Sequence, residues 1–372
     1  MSAPEQQSDD QQSDKQQPED ERRRRAAGGR RRGQPSLASV GTFMLAAAGV
    51  LTFYTPPRDL LKPPFARIAE AATLPAAAPS ANAFGRSGEV RVRFALPNEA
   101  LEYPLDVGGD PRSLAYQWVR VGERTSGAAP RPLAGAEVVA PATPGFYQLA
   151  LARIGVDSVA GIPAAEPRVI PGLTLAVLVP FSEKLGATLD GYRIGTYVAE
   201  RLKGGEHDRP AGFVRVDAGD LNLPLSKHLR LGDFVTHDDQ QVWPRYAALN
   251  PRLLDKLELV LAEIASWRGD TANVDVALDV HSGFRTPLYN RTVKRSAKDS
   301  RHQYGDAADV TIDANGDGRY TLADSKLIVR AVEAVESAHP DLVGGLGLYT
   351  SRRYRTPYVH IDARGQRARW RG

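Results

Sequence analysis

The sequence predicts an α+β fold in which helices pack on a small, mostly antiparallel sheet. A β-sandwich-like module and an N-terminal transmembrane helix precede this domain. Three observations lead to the prediction. Two C-terminal segments repeat apolar residues at helical spacing, short alternating runs fill the middle and the end of the chain, and one uncharged apolar run lies near the N-terminus.

The composition allows a sizeable core and limits the classes of partner. The chain has 372 residues, of which 42% are hydrophobic and 25% are charged. Seven arginines lie in Arg22–Arg25 and Arg30–Arg32, so the rest of the chain is nearly neutral although the net charge is +4. We therefore expect no nucleic-acid partner. The absence of cysteine excludes disulfides and thiolate metal ligands.

The first 56 residues are typical of a membrane anchor. Residues 1–33 are polar and basic, and such a segment is expected to be a disordered tail. Residues 34–56 contain the apolar run Leu37–Tyr54, which is close to the 20 residues or so that span a bilayer. Because the arginines precede this run, the tail should stay in the cytoplasm. The prediction is a single-pass protein of the cytoplasmic membrane, with its ectodomain in the periplasm or cell envelope.

Two other interpretations of the apolar run remain open. It could be a buried helix of a soluble domain, or part of a cleaved signal peptide. A candidate cleavage site, Ala81–Ala83, lies far beyond the run. The Pro- and Ala-rich residues 57–85 are expected to form a linker.

Residues 86–182 are expected to form the β-sandwich-like module. Short strand-like runs recur between Gly and Pro turns, and their spacing is typical of a small sandwich. These runs are Glu89–Phe94, Tyr116–Val121, Gly145–Leu151 and Leu173–Val179.

Residues 183–372 carry the helical patterns. Pro244–Arg268 and Ala323–Ala338 each have an apolar stripe at helical spacing. Strand-like segments are expected at Val274–Val280, Gly345–Tyr349 and Pro357–Asp362.

Two imidazoles and a carboxylate in this region form a candidate metal site. His302 and Asp309 are seven residues apart, which is too far on one helix and places them on opposite faces of one strand. A bend at Gly305 would bring them together. His360 would come from a neighbouring strand, with Asp362 on the same face. Two His and one Asp are a usual ligand set for catalytic zinc.

Four motifs resemble those of the M15 peptidases, a family of D-alanyl-D-alanine carboxypeptidases and related peptidoglycan peptidases. Ser300–Asp309 resembles the first zinc-binding motif, and His281–Asn290 resembles an upstream SGYRSP-type segment. Gly344–Tyr349 and Tyr358–Asp362, followed by Arg369 and Trp370, resemble the C-terminal strands. The resemblance covers roughly residues 220–372.

This resemblance implies that His302, Asp309 and His360 bind Zn²⁺ and that Arg285 holds a peptide carboxylate or a developing oxyanion. It implies a peptidase that cleaves peptidoglycan peptides next to a D-amino acid, as a carboxypeptidase or an endopeptidase. Pro357 stands where the family has an acidic residue. Asp362 is then the nearest carboxylate, either as a catalytic base or as a group that orients a ligand.

Two other functions remain open. The departure at Pro357 also fits a non-catalytic relative that binds wall peptides or scaffolds a partner. A different possibility is a nucleic-acid or anionic-lipid binder that acts through the arginine-rich tail.

A second ion site is expected in the loop 313–324. Oxygen donors stand at positions 1, 3, 5, 9 and 12, with Gly318 at position 6, which is the spacing of an EF-hand-like Ca²⁺ loop. The candidate ligands are Asp313, Asn315, Asp317, the carbonyl of Arg319, and Asp324. The alternative is an acidic turn that only caps the following helix.

Overall fold

The fold is described from a computed structural model, which describes residues 77–79, 84–103, 105–107, 110–124, 126–133, 137–154, 167–201, 209–269, 276–350 and 356–372. The predicted tail and transmembrane helix, and most of the predicted linker, lie outside these residues. Within the described ranges, no helix is both long enough and apolar enough to cross a membrane. This part of the chain is mixed α and β, with small sheets and few helices.

The N-terminal half of the described chain is built from short strands. They are β1 (Ala77–Pro79), β2 (Val92–Ala95), β3 (Ala100–Glu102), β4 (Leu105–Val107), β5 (Leu114–Arg120), β6 (Arg131–Pro132), β7 (Glu137–Val139), β8 (Gly145–Arg153), β9 (Arg168–Val169) and β10 (Thr174–Val177). The four strand-like runs predicted from alternation correspond to β2, β5, β8 and β10.

One sheet dominates this half, with the order β2-β10-β8-β5-β6 and with β9 also paired to β8. Its pairs are antiparallel except for β2 and β10. The ribbon β3-β7 covers one face, where Leu101 and Val138 share a core with Tyr116, Trp118 and Leu149 of the sheet. Burial of the apolar face of each sheet is what drives this layering.

The middle of the chain consists of small pairings that lead into the C-terminal sheet. Its strands are β11 (Val179–Pro180), β12 (Thr188–Leu189), β13 (Tyr192–Arg193), β14 (Gly212–Val216) and β15 (Arg245–Ala247), and a short helix α1 spans Val198–Arg201. Strands β11, β14 and β15 form one sheet, and β12 pairs with β13.

The C-terminal region holds the long helices and the sheet that carries the candidate site. The elements are α2 (Pro251–Trp267), β16 (Leu278–Ser282), α3 (Pro287–Asn290), β17 (Ala307–Ile312), α4 (Leu322–Ala338), β18 (Gly345–Tyr349), β19 (Tyr358–Asp362) and β20 (Ala368–Arg371). The sheet order is β16-β17-β19-β18-β20, antiparallel except for the parallel pair β18 and β20.

One predicted helix begins later than its apolar pattern indicated. The stretch expected to start at Pro244 forms β15 first, and α2 begins at Pro251. Asn250 caps it by accepting a hydrogen bond from the Arg252 N–H at 3.0 Å, and proline suits the first helical position. Strand β16 begins four residues later and ends two residues later than expected. Helix α4 matches its prediction to within one residue.

Helices α2 and α4 cover one face of the C-terminal sheet. Leu253, Leu257 and Ile328 on the helices share a core with Val310 and Val359 on the strands. The opposite face of β17 and β19 therefore carries Asp309 and His360, because neighbouring residues of a strand point to opposite sides. The sheet thus separates a packed core from the face that bears the candidate site.

Candidate metal centre

The three predicted metal ligands come from a short 3₁₀ turn and two adjacent strands. His302 lies in the turn Arg301–Tyr304, Asp309 lies in β17, and His360 lies directly opposite Asp309 in β19. All three are buried. The convergence of these side chains, expected from the sequence, is present in the structure.

The chain reverses at Gly305, where the sequence predicts the bend. Gly305 has a φ of 71°, in the left-handed region that glycine adopts without strain. A Cβ atom there would lie 2.1 Å from the carbonyl oxygen of Ala248. The glycine is therefore required both by the backbone conformation and by the close approach of the segment that precedes α2.

The donor atoms lie slightly closer together than the ligands of a tetrahedral metal site. His360 Nδ1 lies 2.8 Å from Asp309 Oδ1, and His302 Nε2 lies 3.2 Å from that oxygen and 3.1 Å from His360 Nδ1. Zinc bonds of about 2.0–2.1 Å give donor separations of roughly 3.3 Å in a tetrahedron. An outward movement of a few tenths of an ångström would make the group fit a zinc ion.

Each imidazole has a hydrogen-bond acceptor outside the triad, which favours the tautomer that a metal needs. His302 Nδ1 lies 2.6 Å from the carbonyl oxygen of Gly283, which can only accept a hydrogen bond. His360 Nε2 lies 3.2 Å from Asp362 Oδ2. With a metal bound, each ring would donate its remaining proton to these outer acceptors and turn the lone pair of its other nitrogen towards the ion beside Asp309.

The electrostatics of the triad favour a neutral His302 and an ionised Asp309. Burial lowers the pKa of His302, and the nearby Asp309 carboxylate only partly offsets this. Burial would raise the pKa of Asp309, but its contacts with both imidazoles outweigh burial and hold that pKa well below its usual range. Burial would lower the pKa of His360, yet hydrogen bonds to Asp309 and Asp362 raise it overall. A metal ion would have to displace the proton that His360 tends to hold.

The predicted cleft arginine, Arg285, contacts one of the candidate ligands. Its Nη2 pairs with Asp309 Oδ2, and its Nε donates to Ser282 Oγ at 2.7 Å. The side chain is about one-eighth exposed. Arg285 thus steers one oxygen of Asp309, while the other oxygen faces the two imidazoles. Among the described residues, its Nη1 meets no acceptor, which leaves a position for a substrate oxygen.

Asp362 is fully buried and its carboxylate is already occupied. It pairs with the Arg364 guanidinium at 2.6 Å and accepts from the backbone N–H of Gly345 at 2.7 Å, besides its contact with His360. Burial would raise the pKa of Asp362, but these partners drive it far below its usual range. Of the two roles left open by the sequence, the contacts fit the orientation of His360 better than proton transfer.

Aromatic side chains border the centre, and the sequence motifs did not assign them a role. Tyr349 and Tyr358 stack with their ring centroids 4.5 Å apart, and the Trp370 ring lies 5.1 Å from the His360 ring. Trp370 Nε1 donates to the Tyr349 hydroxyl at 2.9 Å. We call these three side chains the aromatic wall. It forms because β18 pairs with both β19 and β20, which aligns Tyr349 with Tyr358 and Gly347 with both His360 and Trp370. In the sequence, the alternation of residues along β18 and β19 was the signal that could have indicated these side chains.

The predicted calcium loop is held by hydrogen bonds within the chain. The Asp313 carboxylate accepts from the N–H groups of Gly316, Asp317 and Gly318, at 2.9–3.1 Å. The Asp324 carboxylate accepts from Ala314, Asn315 and Thr321 N–H groups and from the Thr321 hydroxyl. Asp324 completes a capping box at the start of α4.

Helix capping is the alternative that the sequence left open for this loop, and the contacts of Asp324 at the start of α4 correspond to it. Binding of Ca²⁺ by Asp313, Asn315, Asp317, Arg319 and Asp324 stays a prediction. Among the described residues, the only group of three or more acidic or imidazole side chains close enough to share an ion is His302, Asp309 and His360.

Comparisons of this chain with known proteins found no relative. No family model, no curated protein and no solved structure matches this chain. Membership of the M15 peptidases therefore stays a prediction from the motifs.

Proposed function

We propose that this chain is a zinc-dependent hydrolase whose metal is held by His302, Asp309 and His360. The observation that carries the proposal is the convergence of three buried donor atoms within 3.2 Å of one another. The acceptors outside the triad support it, because each imidazole can donate one proton to them and offer its other nitrogen, together with one oxygen of Asp309, to a cation. The same donor set also occurs around Fe²⁺ in oxygenases, so the metal must be identified by analysis.

Each group would have a separate task in this proposal. When bound, zinc is a Lewis acid that polarises a peptide carbonyl and makes water a better nucleophile at neutral pH. Arg285 orients Asp309 and offers its remaining N–H groups to a substrate carboxylate or a developing oxyanion. Asp362 positions His360, because its own carboxylate is held by Arg364 and Gly345.

Proton transfer then needs a group other than Asp362. His281 lies in β16, next to Ser282, which is aligned with Asp309. Its side chain is 40% exposed and its Nδ1 lies 3.7 Å from Asp279. Its ring lies 6.1 Å from the ring of Tyr358. An accessible imidazole with a carboxylate beside it suits general acid–base catalysis, and we assign this role to His281.

The proposed substrate is a peptidoglycan peptide cut next to a D-amino acid, by carboxypeptidase or endopeptidase action. The four M15-like motifs support this choice. The predicted membrane anchor in residues 34–56 would hold the domain beside the cell wall.

The test is metal content and turnover of the full chain. Wild type should retain stoichiometric zinc and release D-alanine or cut cross-links in purified peptidoglycan. His302→Ala should lose both zinc and turnover, whereas the matched control His237→Ala, an exposed imidazole, should lose neither. His281→Ala should keep zinc and lose about 10²–10⁴-fold in kcat. A His302→Ala protein that binds zinc as wild type does would refute the site.

A second candidate is a non-catalytic relative that binds wall peptides or scaffolds a partner. Two observations favour it. Pro357 stands where M15 enzymes carry an acid, and the Asp362 carboxylate is fully engaged. Zinc retained without turnover, together with retention of the chain on purified peptidoglycan, would select this candidate over the peptidase.

A further inference from the structure

A surface cavity of about 610 Å³ lies between α1, α3 and the segment that follows α3. Five cationic side chains line it: Arg201, Arg291, Lys294, Arg295 and Lys298. No aspartate or glutamate lines it among the residues that the structure describes. In the same residues, no ion pair joins these cations to a carboxylate. We call this feature the basic cavity.

The cationic segment 291–298 is fixed by buried polar contacts at both of its ends. Asn290 is 1% exposed, and its Nδ2 donates to the Ala297 carbonyl at 2.9 Å. Gln303 is 2% exposed, and its Nε2 donates to the Lys298 carbonyl at 3.0 Å. The Ser296 hydroxyl donates to the Asn290 carbonyl at 2.6 Å. Asn290, Ser296 and Gln303 line the cavity, and their hydrogen bonds hold the cationic segment in place.

Two further features point to a ligand. Arg295 has a φ of 64°, a conformation that costs free energy for a residue with a side chain and that clusters at binding sites. Asn290 lines the cavity, and its buried Oδ1 has no hydrogen-bond partner in the described part of the chain. A ligand hydroxyl beside the anionic groups would supply the missing donor.

The positive charge of the basic cavity indicates the class of ligand. Five positive charges in one cavity repel one another, and a single peptide carboxylate would neutralise only one of them. Arginine forks and lysine ammonium groups are the side chains that bind phosphate oxygens most readily. We propose that the basic cavity binds an anion carrying two or more phosphate groups.

This site is distinct from the metal centre although it is close to it in sequence. Gln303 follows the metal ligand His302, and α3 follows Arg285, so both sites use the same short elements. None of the three proposed metal ligands lines the basic cavity. The proposal therefore does not rest on zinc or on peptidase activity.

The experiment measures binding of inorganic pyrophosphate to the full chain by isothermal titration calorimetry. Because pyrophosphate also binds metal ions, the measurement is made in parallel on wild type and on His302→Ala. We expect binding in both proteins. Binding that disappears with His302 would assign the anion to the metal centre and overturn the proposal, whatever the zinc content shows about the proposed function.

Charge removal locates the site. Lys294→Ala/Lys298→Ala should weaken pyrophosphate binding by at least about tenfold, because each lost charge-assisted hydrogen bond contributes that order of affinity. The control Lys227→Ala/Lys326→Ala removes two exposed lysines elsewhere and should change nothing. Thermal melts of both variants show whether folding is kept. Equal weakening in the two double variants, or no binding by wild type at millimolar pyrophosphate, would overturn the proposal.

Two further arms identify the ligand. A glycerol phosphate oligomer that binds more tightly than pyrophosphate indicates a phosphodiester polymer, and the reverse order indicates a small diphosphate. Polyglutamate of matched charge that binds as tightly as either would contradict phosphate selectivity. Glu206 and Asp208 follow Arg201 in the sequence, so Glu206→Gln/Asp208→Asn is also measured. Binding that appears only in that variant would show that the native cavity is not available to phosphates.

Discussion

Replacement of Asp362 by asparagine tests whether this carboxylate positions His360. The substitution keeps the shape of the side chain but removes its charge. Asp362 pairs with Arg364 at 2.6 Å, accepts from the Gly345 N–H at 2.7 Å, and faces His360 Nε2 at 3.2 Å. Hydrogen bonds to charged groups contribute about 1.5–3 kcal/mol each. Since Arg364 is a quarter exposed and can recover solvation, we expect a loss of about 2–4 kcal/mol in the free energy of unfolding.

The same variant should bind zinc more weakly. Loss of a group that orients a ligand typically lowers metal affinity by about 10–100-fold. The assay is urea unfolding of the metal-free chain together with competition for zinc against a chelator. Asp341→Asn is the matched control, because its pair with Arg86 is half exposed on both sides and should contribute less than about 1 kcal/mol. Unchanged zinc affinity in Asp362→Asn would refute the positioning role, even if stability falls.

The pH dependence of the free energy of unfolding tests the role of Asp362 independently. The partners of Asp362 hold its pKa far below that of an unfolded aspartate, so the folded state favours the ionised form. The resulting stabilisation is complete above the unfolded pKa of about 3.9 and is lost as pH falls through the folded pKa. The stability difference between wild type and Asp362→Asn should therefore shrink below about pH 4. A constant difference between pH 7 and pH 3 would contradict the assignment.

Two other substitutions test the packing around the centre. Gly347→Ala would place a Cβ atom 2.4 Å from the Trp370 ring and should cost about 1–3 kcal/mol, with a change in tryptophan fluorescence. Gly219→Ala, with open space around it, is the control, and equal costs for the two variants would refute the steric argument. Lys256→Met removes a fully buried ammonium that donates to Glu336 at 2.8 Å and should cost about 3–5 kcal/mol in urea unfolding. A cost below about 1 kcal/mol would show that the buried pair is not stabilising.

The candidate metal site could be predicted from the sequence alone. His302 and Asp309 stand at a spacing that neither a helix nor a strand can bring to one ion, so a turn between them was required. Gly305 was the residue able to make that turn, and the structure has the reversal there. The alternation in β19 also put His360 and Asp362 on one face. These inferences held because they depend on local backbone geometry.

Contacts between residues distant in sequence decided what the sequence left open. The role of Asp362 depends on Gly345, 17 residues away, and on the Arg364 side chain, whose direction follows from packing. The aromatic wall depends on the register of three strands. The basic cavity joins Arg201 to residues some 90 positions later. Helical periodicity likewise predicted most of α2 but not its start, which lies seven residues later than expected because Asn250 and Pro251 set it. Local pattern specifies which face a residue occupies, whereas burial and partner choice depend on which segments the folded chain brings together.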